Sequence, residues 1–215
     1  MTNTMRWEQA LATLPLVAIL RGLTPCESLQ IAGALLEAGF RCLEVPLNSP
    51  NALDSITKIR GRFGDTLAIG AGTVLSISDV SAVAKAGAIF IVTPNTNLKV
   101  IEAGKAAGLV VVPGCATPSE AFAALSAGAD ALKLFPAEAL PPATVKAWTA
   151  VLPASCQLLP VGGITPTGMK AYLDAGATGF GIGSSIYAPG SDPTLVGELA
   201  KQFVQAWHAL RSRGN

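Results

Sequence analysis

The 215-residue chain is half apolar, only 13% charged, and carries a formal net charge of +1 without any run of basic residues. That balance excludes a disordered chain, and it excludes a nucleic-acid surface, which needs clustered Lys and Arg. No apolar run approaches the roughly 18 residues that span a bilayer, so no membrane partner is expected.

From the N-terminus, a short helix is expected over about 4–13. The apolar run "LPLVAIL" that follows stops at Arg21 without a small-residue cleavage site, so no signal peptide is read there. Cys26, Cys42, Cys115 and Cys156 lack C-x-x-C spacing. Free thiols and a cytoplasmic location are expected.

Next come eight strand-like runs: "LVAILRG" (16–22), "CLEVPLN" (42–48), "AIGAGTV" (68–74), "FIVTPN" (90–95), "VVVPGCA" (110–116), "ALKLFPA" (131–137), "LLPVGGI" (158–164) and "GFGIGSS" (179–185). Several are almost continuously apolar, as parallel strands covered on both faces are. Helical patterns alternate with them. Three open on Thr-Pro, at Thr24, Thr117 and Thr165, with Glu27 and Glu120 completing capping boxes in the first two. An Ala-Gly pair closes five of the helices, with its glycine at 39, 87, 108, 128 and 176, the position of a left-handed C-terminal cap. The unit length of about 20 to 25 residues is one strand plus one helix. A C-terminal helix is expected over about 193–212. The pattern predicts a single domain, 1–215, folded as a (β/α)8 barrel; a doubly wound open sheet is the alternative.

In such barrels the active site lies at the C-terminal ends of the strands, where the polar residues of these runs fall. Alternation puts Lys133 and Phe135 on one face of their strand and Leu132 and Leu134 on the other. The leucines suit the helix layer, so Lys133 points into the barrel. Glu44 points inward by the same rule. Two readings of Lys133 are open. In one, Lys133, Glu44, Arg21 and Thr73 form a satisfied polar plug. In the other, apolar surroundings and a neighbouring Arg21 lower the lysine pKa so that it attacks a ketone, and Glu44 shuttles protons. "VGGIT" and "GIGSS" place Gly162, Gly163, Gly183 and Ser184 after strands 7 and 8, where barrels of this type bind phosphate through backbone N–H groups. Metal chemistry is not expected: His208 is the only histidine, and no His or Cys cluster has ligand spacing. Cys115 reads as a small buried hydrophobe, and Trp7, Trp148 and Trp207 as packing residues on helices.

The motifs "LEVPLNSP", "GAGTVL", "VTPN", "VVPGCATPSEA", "ALKLFPAEA" and "PVGGITP" resemble the class I aldolases that cleave 2-keto-3-deoxy-6-phospho sugar acids. The resemblance runs from about Leu14 to about Ala188. It implies that Lys133 forms the Schiff base and that Glu44 is the general acid/base, working through a water. It implies that Thr73 and an arginine hold the substrate carboxylate. Pro94 and Phe135 would wall the pyruvate pocket, and Gly162, Gly163, Gly183 and Ser184 would bind phosphate. It also implies a cofactor-free homotrimer whose small molecules are a phosphorylated sugar acid, pyruvate and glyceraldehyde 3-phosphate. The gluconate branch usually has an arginine and a threonine where this chain has Asn48 and Val161. "EVPLNSP", "PGCAT" and "VGG" are similar to the galactonate branch, and the carboxylate clamp then falls to Arg21. The gluconate-cleaving or dual-specificity enzyme is the alternative. A phosphate-binding barrel epimerase or isomerase, or a catalytically silent phosphate-binding protein, are the remaining readings.

Overall fold

The computed structural model describes residues 1–212. Helix α1 (Asn3–Thr13) leads into β1 (Leu16–Ile19), α2 (Ser28–Ala38), β2 (Cys42–Pro46) and α3 (Ala52–Phe63). Then follow β3 (Ala68–Gly72), α4 (Ile77–Lys85), β4 (Phe90–Val92) and α5 (Leu98–Ala106). The fifth unit holds two strand segments, β5 (Val110–Val112) and β6 (Gly114–Cys115), before α6 (Pro118–Ser126). The chain ends through β7 (Leu132–Leu134), α7 (Pro142–Thr149), β8 (Leu158–Pro160), α8 (Met169–Asp174), β9 (Phe180–Ile182) and α9 (Pro193–Ser212).

Every strand pair is parallel. Six strands form one sheet, ordered β5-β4-β3-β2-β1-β9, and three form another, ordered β6-β7-β8. The architecture is therefore α/β with curved parallel sheets. The expected single ring of eight strands appears instead as two hydrogen-bonded ladders. The fifth strand is divided at Pro113, which has no N–H to donate, although its carbonyl still accepts from Lys133 N at 2.9 Å. Between β8 and β9 one isolated parallel bridge, Val161 to Gly181, joins the two sheets.

The strands start close to where the sequence places them and end sooner. Arg21, Asn48, Thr73 and the Thr93-Pro94-Asn95 triplet lie in the loops after β1, β2, β3 and β4 rather than in the strands. The helix starts differ too. Thr117 caps α6 in a full capping box with Glu120, as expected. Helix α2 begins only at Ser28, because Pro25 to Glu27 form a turn in which Glu27 accepts from Thr24 N and Thr24 Oγ1, both at 2.9 Å. Helix α8 likewise starts at Met169, beyond Thr165. The five Ala-Gly glycines all have positive φ, from 71° to 112°, as left-handed caps require.

Alternation sorts the core into two bodies. Leu43, Val45, Leu132 and Leu134 belong to the large cluster between strands and helices. Val17, Phe90, Val112 and Leu159 belong to a smaller cluster on the other strand face, together with Trp7 of α1. Glu44 aligns with Ile19 and Gly70, and Lys133 with Gly114 and Leu159, on that inner face. Helix α1 packs against β2, β3 and β5, and its Trp7 ring meets Phe90 at 4.9 Å between centroids. Trp148 and Trp207 are also buried on their helices, as expected of packing residues.

Trp7 is the stopper of the inner core. Trp7→Ala is expected to cost about 3–5 kcal/mol through the cavity it leaves. The measure is the denaturant midpoint at unchanged m-value; a loss below 1 kcal/mol would show that α1 is not part of the core.

Candidate active site

Lys133 of β7 and Glu44 of β2 are 6% and 2% exposed, although both are ionisable. Burial lowers the Lys133 pKa; Glu44 opposes that shift and Arg21 adds to it. Burial raises the Glu44 carboxyl to about 7 against the pull of Lys133 and Arg21. The ion pairs of the described residues are Arg6–Asp65, Lys105–Asp130 and Lys170–Asp174, so the two buried charges share the interior without touching. Glu44 Oε2 has no hydrogen-bond partner. Its carboxylate fills the space a side chain at Gly72 would take. Lys133 Nζ stands 4.4 Å from the centre of the Phe135 ring, a cation–π contact that favours the ammonium and partly offsets desolvation. A weakly solvated amine beside a carboxylate that titrates near neutrality is suited to attacking a carbonyl and passing protons.

Two cavities lie one above the other. The inner one, about 20 Å³, is lined by Glu44, Lys133 and Trp7. The outer one, about 340 Å³, is lined by Arg21, Phe135, Gly162, Gly163, Gly183 and Ser184. Ile19, Val161 and Gly181 border both and form a collar between them. The structure thus brings together most of the side chains and loops singled out from the sequence. The outer cavity is walled by the two glycine loops. Gly162 and Gly163 have φ of +118° and +60°, a backbone that side chains rarely adopt. At Gly183 an added Cβ would meet only Ile19, at 3.8 Å, so that glycine leaves open space. Ser185 Oγ donates to Ile164 O at 2.8 Å and ties the two glycine loops together. Ser184 makes no side-chain hydrogen bond among the described residues.

Thr73 and Pro94 border neither cavity. Thr73 is nevertheless held at φ +54°, a left-handed conformation that costs a β-branched residue of order 1–3 kcal/mol. Pro94 packs its backbone against Gly114. Arg21 NH1 donates to Asn48 Oδ1 at 3.2 Å, so Asn48 orients the guanidinium across the mouth. Cys115 is buried, and burial raises its thiol to about 11; it is an inert hydrophobe, as read. His208 is exposed on α9. Among the described residues no three His, Cys, Asp or Glu side chains gather as metal ligands would, and no helix is long and apolar enough to cross a membrane.

One residue of the outer cavity was given no role from the sequence. Glu138, in the 3-10 turn Ala137–Ala139, faces the Gly162-Gly163 loop. It stands inside the quoted motif "ALKLFPAEA", but the contact joins segments 24 residues apart and only folding reveals it.

The chain is similar to known proteins over nearly its whole length. Residues 7–192 match the family described as KDPG and KHG aldolase. The chain is 46% identical over 203 residues to 2-dehydro-3-deoxy-6-phosphogalactonate aldolase of Escherichia coli, covering 94% of this chain and 98% of that one. A solved native KDPGal structure superposes with a TM-score of 0.91 at 46% identity, covering 93% of this chain and 97% of that one. The KDPG aldolase of Legionella pneumophila, with pyruvate captured as a covalent carbinolamine, superposes at 0.81 and 29% identity, covering 89% and 95%.

The desolvated Glu44 makes a stability prediction. Below pH 4.5 the carboxyl is protonated in both folded and unfolded chains. As pH rises toward 7 the unfolded chain ionises first, so the stability contributed by the neutral buried form is progressively lost. Glu44→Gln is therefore expected to be more stable than the parent at pH 8, by up to about 3 kcal/mol, and nearly equal at pH 4.5. Thermal melts across that range check it; a gap that does not change with pH would mean the carboxylate is not desolvated.

Proposed function

The chain belongs to the KDPG and KHG aldolase family, and from that premise we propose that it cleaves 2-dehydro-3-deoxy-6-phosphogalactonate to pyruvate and D-glyceraldehyde 3-phosphate. It is a carbon–carbon lyase. The observation that carries the mechanism is the pair Lys133 and Glu44, buried in one interior and unpaired with each other, with burial lowering the amine and raising the carboxyl to about 7.

In the proposed reaction the neutral Lys133 amine adds to the C2 ketone, and the carbinolamine loses water to give an iminium. Glu44, through a water, takes the proton of the C4 hydroxyl. The C3–C4 bond breaks, and its electron pair moves into the iminium to form an enamine. Glyceraldehyde 3-phosphate departs, C3 of the enamine is protonated, and water hydrolyses the imine to free pyruvate and Lys133. Arg21, oriented by Asn48, supplies a planar fork for the substrate carboxylate together with Thr73. Phe135 and Pro94 wall the pyruvate end. The amides of Gly162, Gly163 and Gly183 and the Ser184 hydroxyl take the phosphate.

The single domain closes as a (β/α)8 barrel, supported by the Pro113–Lys133 hydrogen bond across one seam and the Val161–Gly181 bridge across the other. The enzyme works in the cytoplasm as a homotrimer. Leu75, Ile77, Leu98 and Phe122 support association, being exposed on or just before the neighbouring helices α4, α5 and α6.

The imine is tested by borohydride reduction in the presence of pyruvate, intact mass and peptide mapping. The expected adduct is on Lys133, and Lys133→Ala should lose both adduct and turnover while keeping the fold. Near-normal turnover in that variant would return Lys133 to a structural role and favour an epimerase. Val161 sets the second test, since an isopropyl offers no hydrogen bond to a C4 hydroxyl. Val161→Thr should shift the kcat/KM ratio of the galactonate to the gluconate epimer toward gluconate, by about tenfold for one neutral hydrogen bond. An unchanged ratio would place the epimer choice elsewhere.

A further inference from the structure

We propose that Glu138 is a specificity-determining residue that accepts a hydrogen bond from the C5 hydroxyl of the sugar acid, the hydroxyl next to the phosphate-bearing carbon. The inference rests on the reading above, in which substrate runs from Lys133 to the glycine loops. The outer cavity on that path is lined by Phe135, Gly162, Gly163 and Ser184. Glu138 follows Phe135 by three residues and reaches across to the phosphate end. Its carboxylate fills the space a side chain at Gly162 would need, and a Cβ at Gly163 would lie 3.1 Å from its Oε1. The carboxylate therefore stands beside the segment of substrate that bears C5.

Its chemistry is unusual for that place. A carboxylate beside a phosphate site repels the ligand, and with no Lys bordering the cavity only Arg21 provides positive charge there. Yet Glu138 makes no hydrogen bond or ion pair among the described residues, so it is not committed to holding the fold together. An ionised carboxylate is an acceptor only, and between ketone and phosphate the substrate offers hydroxyl donors. Of the neighbouring wall, Val161 is apolar, and the Ser184 and Ser185 hydroxyls are neutral acceptors, weaker partners for a hydroxyl donor than a carboxylate. Glu138 thus has the one role that turns an unfavourable charge into recognition. It accepts from a hydroxyl adjoining the phosphate and disfavours phosphorylated acceptors that lack one.

Condensation of pyruvate with aldehydes tests this, because the 2-hydroxyl of glyceraldehyde 3-phosphate becomes the C5 hydroxyl of the product. The parent enzyme, Glu138→Ala and Glu138→Gln are compared with D-glyceraldehyde 3-phosphate and with 3-phosphooxypropanal, which lacks that hydroxyl. The parent should prefer the hydroxylated aldehyde. Glu138→Ala should lose about tenfold to a hundredfold of that preference in kcat/KM, the worth of a hydrogen bond to a charged acceptor. Glu138→Gln, which keeps a neutral acceptor, should recover part of it. An unchanged preference overturns the proposal, including the case in which Glu138→Ala merely binds inorganic phosphate more tightly. Trapping of pyruvate by borohydride in the parent separates the two levels. No adduct defeats the imine reading and this proposal with it, whereas an adduct with an unmoved preference defeats this proposal alone.

Discussion

Lys133 and Glu44 are two opposite charges taken out of water into one apolar interior and kept from neutralising each other by contact. Desolvation is the largest influence on both, and it acts in opposite directions, lowering the amine and raising the carboxyl. The remainder of the molecule makes that environment possible. Strands with both faces covered supply an inner lining of Val17, Phe90, Val112 and Leu159. Gly70 and Gly72 leave the space that Phe90 and the Glu44 carboxylate occupy. An ordinary stabilising core would replace such charges with hydrocarbon, because burying them costs more than their attraction returns. Their retention makes sense as chemistry.

The collar of Ile19, Val161 and Gly181 separates two demands that conflict. Below it, a space of only about 20 Å³ leaves little room for water beside the amine. Above it, a wider space carries backbone amides and hydroxyls suited to a charged, hydrated ligand. The space beside the buried amine and the space open to the polar loops are thereby kept apart. Stacking them along the strand direction assigns the dry part to strand side chains and the polar part to loops, whose backbone can take the left-handed turns of Gly162 and Gly163.

Much of this was legible in the sequence because strand alternation is a two-state rule. Once Leu132 and Leu134 are assigned to the helix layer, Lys133 has only one direction left, and Leu43 and Val45 fix Glu44 in the same way. The Ala-Gly caps were legible because left-handed φ leaves a glycine signature. Strand ends were not, since "FIVTPN" reads as extended whether or not its last residues pair with a neighbour. The start of α2 was misplaced for a related reason. Glu27 binds Thr24 as a capping box would, yet the contact closes a turn at 25–27 that runs directly into the regular helix. The division of the fifth strand at Pro113 could have been anticipated from the missing N–H. The strain at Thr73 has no such signal, because threonine ordinarily favours extended backbone.

Glu138 shows where sequence reasoning ends for a different reason. Its type is unremarkable, its spacing belongs to no motif of paired charges, and its place beside Gly162 and Gly163 exists only when two βα loops meet. The glycines themselves were explained twice over, by positive φ and by phosphate, and neither explanation required a carboxylate nearby. Yet the Glu138 carboxylate occupies the space that a side chain at Gly162 would need. A site assembled from loops on separate strands can therefore acquire a selectivity that no single segment encodes. In a barrel this is the general case, because the strands fix what the reaction needs and the loops between them decide which molecule it acts on.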